Sequence, residues 1–432
     1  MQTFKKILVS IILLLLFIFI FTNPYLSFHN IDSLAYVVAL GLDVGETNNL
    51  KLSLQLYKPT ESSGSSSGSS QSSNSLINSV DCSSISSGIN LFNSYISKQI
   101  SLSHCKVIVI SEELAKQGIS KYLYTLVNNV QIGSDCNIII SKSDSYSFLE
   151  NSKPTVEKLI ARYYESAPMS SLYTGFTEDV TLGDFFSDYT DSFKQPHAIL
   201  GSINTSQTQD NVTSSNNAKT NTSSSTASIT DNTNYENDNK DSDYIAGETP
   251  ITSENNIESM GLAVFYSDKL VGELNALETL CHMIVVNKIQ TAEIQISSPV
   301  NLNEKIDISL KQNLAPKISL KIINNTPYIK INLNINARIR SMDENSEHLN
   351  EDNILKIEES VNKYLEENIS AYLYKTAKQF NSDIVGFGKY AVGYFKTLDE
   401  WQDYNWLYNY RNSFFDVTVN SDIKSTYLLM DN

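Results

Sequence analysis

The alternation of apolar and polar positions is cleanest late in the chain. Ile329, Ile331, Leu333, Ile335, Ala337 and Ile339 take every second place, mostly with polar or charged residues between them. A period of two buries one face of a strand and leaves the other wet. KISLKIINNTPYIKINLNINARI therefore reads as an antiparallel hairpin turning over residues 324–327. A second period follows. Ile354, Ile357, Val361, Leu365, Ile369, Leu373, Ala377 and Phe380 recur at intervals of three and four, the stripe of a long amphipathic helix over 352–380. Beyond it lie SDIVGFGKYAVGYF, an aromatic EWQDYNWLYNY and a terminal strand, FFDVTVNSDI.

Upstream, LAYVVALGLDVG and LKLSLQLYKP read as two strands around a GETNN turn, followed by a Ser/Gly loop over 60–75. HCKVIVI and DCNIIIS are short apolar strands. Between them lies a helical stretch with Ser111 as N-cap and a break at Gly118. Strand, helix, strand at this spacing is a crossover between parallel neighbours. Further helices are expected over 145–151, from Pro154 to 165, and around 182–189 after Thr181. MGLAVFYSDKLVGEL is a hairpin turning at Ser267-Asp268, and NALETLCHMIVVNK is a helix.

Residues 202–256 are dominated by Ser, Thr, Asn, Asp and Glu. Such a segment buries too little apolar area to offset its chain entropy, so it reads as a disordered insert. The expected organisation is an N-terminal signal or anchor segment (1–28), a first folded region (29–201), the insert (202–256) and a second folded region (257–432). The fold class is mixed α+β and α/β, multi-domain, each domain a β-sheet flanked by α-helices, preceded by a membrane segment.

That segment is the apolar run that opens at Ile7 and closes at Phe21, behind Lys5 and Lys6. Lysines ahead of an apolar run orient it with the N-terminus inside. As a helix the run is about 22 Å long, short for a span of ~30 Å. No small-residue pair for a signal peptidase follows it closely, and no cysteine before Cys82 offers a lipid site. The run is therefore expected to remain as an anchor.

Composition narrows the functions. The net charge of −16 argues against nucleic acid as a partner. Cys82, Cys105, Cys136 and Cys281 form no Cys-x-x-Cys pair, and the five histidines show no metal-ligand spacing, so no metal or cofactor is expected. Cys105 and Cys136 sit near the starts of neighbouring strands. Two buried thiols are the simpler reading, and a disulfide is the alternative in an exported protein. GSSSG lies in the Ser/Gly tract without a strand feeding a helix, and GFGKYAVG follows a helix, so neither is read as a catalytic or phosphate motif. The carboxylate pairs Glu112/Glu113 and Glu366/Glu367 read as solvated helix faces. Trp401, Tyr404, Trp406, Tyr408 and Tyr410 read as a helix packed on a sheet. No catalytic residue emerges.

Four stretches, LAYVVALGLD, SLSHCKVIVISEELAKQGI, GLAVFYSDKLVGELNALETL and SDIVGFGKY, occur in an order that resembles the Ger(x)C family of spore germination proteins. This family is the C subunit of nutrient germinant receptors. The resemblance implies a non-enzymatic subunit with α/β domains and no catalytic residues. It implies the outer face of the spore inner membrane, beside integral membrane A and B subunits. Typical members carry a lipid-bearing cysteine shortly before the first strand, where this chain has Pro24-Tyr25. The rival readings are an exported cell-envelope hydrolase and a surface solute-binding protein.

Overall fold

The structure, a computed structural model, describes residues 2–21, 33–58, 75–157, 159–204, 243–299, 304–342 and 351–423. The strands are β1 (Leu34–Asp43), β2 (Leu50–Tyr57), β3 (Ser75–Cys82), β4 (Gln99–Ser101), β5 (Val107–Ser111), β6 (Asn137–Ser141), β7 (His197–Ile203), β8 (Ile257–Tyr266), β9 (Lys269–Leu274), β10 (Ala292–Ser297), β11 (Lys305–Lys311), β12 (Lys317–Ile323), β13 (Thr326–Met342) and β14 (Phe414–Ile423). The helices are α1 (Gln2–Phe21), α2 (Ile85–Tyr95), α3 (Glu112–Gln117), α4 (Ser120–Val127), α5 (Ser145–Asn151), α6 (Ile160–Ser166), α7 (Ser171–Thr174), α8 (Leu182–Thr190), α9 (Ala276–Val285), α10 (Glu351–Tyr374), α11 (Gly388–Ala391), α12 (Leu398–Tyr404) and α13 (Trp406–Asn409).

Nine strands form the first sheet, in the order β3-β2-β1-β5-β6-β7-β8-β9, with β4 also on β1. Its centre, β1-β5-β6-β7, is parallel. The outer strands β2, β3, β8 and β9 are antiparallel to their neighbours. β5 and β6 are buried along their whole length, as expected where helices cover both faces. The second sheet runs β10-β11-β13-β12, with β14 on β13. β12 and β14 pair the same residues of β13, so they lie on its opposite edges. The fold is thus mixed α+β with two sheets flanked by helices.

β8 and β9 follow the polar insert in sequence, yet they complete the first sheet. Ala263 and Phe265 of β8 belong to the first core, and Leu262 and Val264 to the second. One strand therefore has an apolar residue on each face at every step, and its two faces serve different cores.

Several local expectations hold. Ser111 caps α3 and accepts from Leu114 N, and α3 stops at Gly118 with φ 117°. α5 covers 145–151. Thr181 and Asn275 begin α8 and α9, each with a reciprocal capping box. The β12–β13 turn places Asn324 and Asn325 at φ 52° and 62°, a left-handed pair suited to a two-residue hairpin.

Other expectations change. Among the described residues after Pro154, none is helical until α6 begins at Ile160. β3, β4, β7, β10 and β11 are strands beyond those that the sequence predicts; SLINSVDC of β3 lacks a clean alternation, whereas AEIQIS of β10 and KIDISLK of β11 alternate but are short. The insert is shorter than its composition suggests. Residues 202–204 belong to the end of β7 and its exit, and Ala246 and Thr249 are buried again. Asn204 there donates to Thr249 O at 2.8 Å and bonds Glu258. The part of that expectation falling on 205–242 lies outside the described residues. The long helix changes after Tyr374 to a π-helical turn, Lys375–Phe380.

Glu366 is not a solvated side chain. Its Oε1 accepts the N–H of Val419 on β14 at 2.8 Å, Asn362 accepts from Ser421 and Glu358 from Ile423, each at 2.8 Å. Four helical residues advance ~6 Å and two strand residues ~6.8 Å, so the two rows stay in step. In this way α10 covers an otherwise open sheet edge.

α1 is a 20-residue helix whose described apolar side chains, Ile7 among them, all face outward. Among the described residues no helix is long and apolar enough to cross a membrane.

The alternating face of β13 is buried from Ile329 to Ile339, with Leu333 fully enclosed. Leu333→Asp is expected to destabilise the protein by several kcal/mol, because it leaves an unpaired charge in a core. Asn332→Asp, on the other face, should change stability by less than about 1 kcal/mol. Urea denaturation of both variants checks the difference; equal losses would mean both faces are buried.

Candidate functional site at the junction of the two cores

Two polar clusters lie where the cores meet. The first centres on Glu178, which is 1% exposed and lies between α7 and α8. His197 opens β7, and His282 sits in α9, where every residue but Glu278 is buried. His197 Nε2 lies 3.0 Å from Glu178 Oε2, and His282 Nε2 lies 3.0 Å from the same oxygen. Lys288 Nζ donates to the other oxygen, Oε1, at 2.5 Å. Behind the imidazoles, His282 Nδ1 is 2.7 Å from the Tyr372 hydroxyl of α10. His197 Nδ1 is 3.9 Å from Asp188, which pairs with Lys194 at 2.7 Å.

A buried carboxylate with no partners would be costly. Burial pushes Glu178 up, but the charge and hydrogen bond of His197 and the contact with His282 outweigh it, and the carboxyl is held well below its usual range. Burial lowers His282 to about 4, against the pull of Glu178. Glu178 raises Lys288 against its own desolvation. Glu178 and His197 belong to the first sheet's side of the junction; His282 and Tyr372 belong to the helices of the second core. The cluster therefore ties the two halves through one carboxylate. Glu178, His197 and His282 also form a group, among the described residues, whose ligand atoms all lie within 4.8 Å of one another.

The second cluster is Asp383, also fully buried. It accepts from Gly386 N at 2.8 Å, Gly388 N at 3.1 Å and Trp406 Nε1 at 2.9 Å. Burial pushes its carboxyl up to about 6, against these donors. Gly386 has φ 80°, a turn that favours glycine. A Cβ on Gly388 would come within 2.4 Å of Phe193 Cβ, so the loop can only close on the first half if this position is bare. Asp383 O also accepts from Gln195 N at 2.9 Å. GFG is therefore a joint, built by one acid and two glycines.

A cleft of about 340 Å³ opens elsewhere, at the carboxyl ends of β1, β5 and β6. Asp43, Lys51, Ser111, Glu112, Lys116 and Lys142 line it. This is the end of a parallel sheet where ligands commonly bind. Asp43, however, is engaged by Ser145 through its N–H at 2.7 Å and its hydroxyl at 2.5 Å.

Of the residues singled out in the sequence, Trp406 reaches the junction, where it donates to Asp383, and most others fall away from it. Cys105 and Cys136 lie just ahead of β5 and β6 as free thiols, their Sγ atoms 3.7 Å apart. Ile7 is exposed on α1, which ends at Phe21. Trp401, Tyr404, Trp406 and Tyr410 are buried as packing, while Tyr408 is half exposed beneath Arg411. The junction residues escaped notice because no spacing rule links Glu178, His197 and His282. The available signal was weaker: a histidine at the head of an apolar strand, HAILGSI, and another inside an apolar helix, ALETLCHMIV. Each buried polar group implies a partner, without saying which.

Two sheets, whose cores meet on the two faces of β8 and at a buried ionic joint, define a multi-domain α+β protein organised around its junction. Residues 27–205 match the family model described as "Spore germination protein N-terminal domain". Residues 260–427 match "Spore germination B3/GerAC like, C-terminal". The chain belongs to this GerAC-like family of spore germination proteins, the C subunits of germinant receptors. It resembles the crystal structure of the GerBC protein with a TM-score of 0.50 and 14% identity, over 90% of this chain and 98% of that one. At that identity the likeness shows a common fold. No curated protein matches the chain.

Two predictions follow from the clusters. Asp383→Asn puts an amide N–H₂ against N–H donors and should cost about 3 kcal/mol or more, read by chemical denaturation. The second concerns pH. His282 titrates near 4 when folded and near 6.5 when unfolded, so below pH 6.5 the unfolded chain binds the extra proton. With chelator present, stability should fall as pH drops from 6.5 to 4, by up to ~3 kcal/mol. Glu178, whose folded value is depressed, adds its own loss only below about pH 4. In His282→Gln the slope between pH 6.5 and 4 should flatten; an unchanged slope would assign it to other groups.

Proposed function

We propose that the protein is a non-enzymatic subunit of a nutrient germinant receptor, held at the outer face of the spore inner membrane beside two integral membrane subunits. The match of both halves to the spore germination models, in order, carries this reading. A non-enzymatic role is supported by the placement of the convergent polar groups. Glu178, His197, His282 and Asp383 are all buried between cores, out of a substrate's reach.

Attachment to the membrane is assigned to α1. Its apolar run is shorter than a bilayer core, so Lys5 and Lys6 would snorkel and the bilayer would thin locally. Contacts with the membrane subunits would share the anchoring. The cleft at the ends of β1, β5 and β6 favours a second reading, in which this subunit also binds a small polar solute.

Deletion of the gene should abolish or slow nutrient-triggered germination while growth and wall integrity stay normal. Restoring the full chain should restore germination. A wall defect without a germination defect would support the hydrolase reading instead. Intact mass of the protein from spores should include residues 7–21; a mature chain beginning past Phe21 would remove α1 as the anchor.

A further inference from the structure

The geometry at Glu178 contains a detail that hydrogen bonding leaves unexplained. His282 Nε2 is 3.0 Å from Glu178 Oε2, yet the pair is not aligned for a hydrogen bond, and this buried nitrogen has no hydrogen-bond partner among the described residues. Two donor atoms that stand ~3 Å apart without pointing at each other are arranged like neighbouring ligands of one ion. Tetrahedral ligands at ~2.0–2.1 Å from zinc are spaced by roughly 3.3 Å. His197 Nε2 stands at 3.0 Å from the same oxygen and completes a triangle.

We propose that Glu178 Oε2, His197 Nε2 and His282 Nε2 bind a zinc-type divalent ion that staples the two cores together. The surroundings fit such a site. His282 Nδ1 is held by the Tyr372 hydroxyl, which orients the ring as outer-shell partners of metal-bound histidines do. Lys288 takes Oε1 and leaves Oε2, the oxygen 3.0 Å from both imidazole nitrogens, for the ion. Two nitrogens and one carboxylate oxygen suit zinc and its transition-metal neighbours better than calcium or magnesium. Three protein ligands leave a fourth position for water. The first half supplies two ligands and α9 the third, so the ion bridges halves that are separated by the insert. This inference stands apart from the germination role.

The test uses the full chain, free of any affinity tag, stripped with chelator and then titrated with Zn²⁺ or Co²⁺ alone. One ion per chain is expected, with a tetrahedral Co²⁺ visible spectrum and a zinc-dependent rise in melting temperature. His197→Gln and His282→Gln should abolish all three, while His104→Gln, outside the cluster, should change none. Tyr372→Phe keeps the ligands and should weaken zinc binding by about 10–100-fold. It decides the matter if the histidine variants fail to fold. Absence of binding, or binding with undiminished affinity in His282→Gln or Tyr372→Phe, overturns the proposal.

Discussion

Everything in this molecule depends on β8 having two buried faces. An ordinary outer strand covers a core on one side and meets water on the other. Here Phe265 fills the first core while Val264 fills the second. Neither core can draw away from the strand without exposing an apolar face to water. β8 thus joins the halves through apolar burial, apart from any polar contact.

The polar contacts then make that placement specific. Apolar faces tolerate rearrangement of similar volume; a buried carboxylate does not. Glu178 stays ionised only where His197 and Lys288 reach it and His282 stands against it. Asp383 likewise needs the amides of its own turn and Trp406. Glu178 draws its partners from elements remote in sequence, so a misplaced half would strand its charge, whereas Asp383 is satisfied within its own half.

The second sheet meets its own constraint differently. β14 joins β13 in parallel and leaves one edge open. Glu358, Asn362 and Glu366 of α10 close that edge, each through a backbone N–H of the strand. Side chains that read as a solvated helix face are therefore part of the sheet's hydrogen bonding.

Local pattern by itself determined many of the elements. Alternation marked β13, the three-and-four stripe marked α10, and polar residues at Ser111 and Thr181 marked helix starts. Four ordered stretches also carried the family resemblance. Tertiary structure alone decided partnership. Periodicity says which face of an element is buried, but not against what. It set β8 and β9 with the second folded region, whereas they complete the first sheet, and it left open the convergence of Glu178, His197 and His282. Glu366 and the edges of the insert were misread for the same reason: a polar side chain looks alike in sequence whether it meets water or a backbone amide.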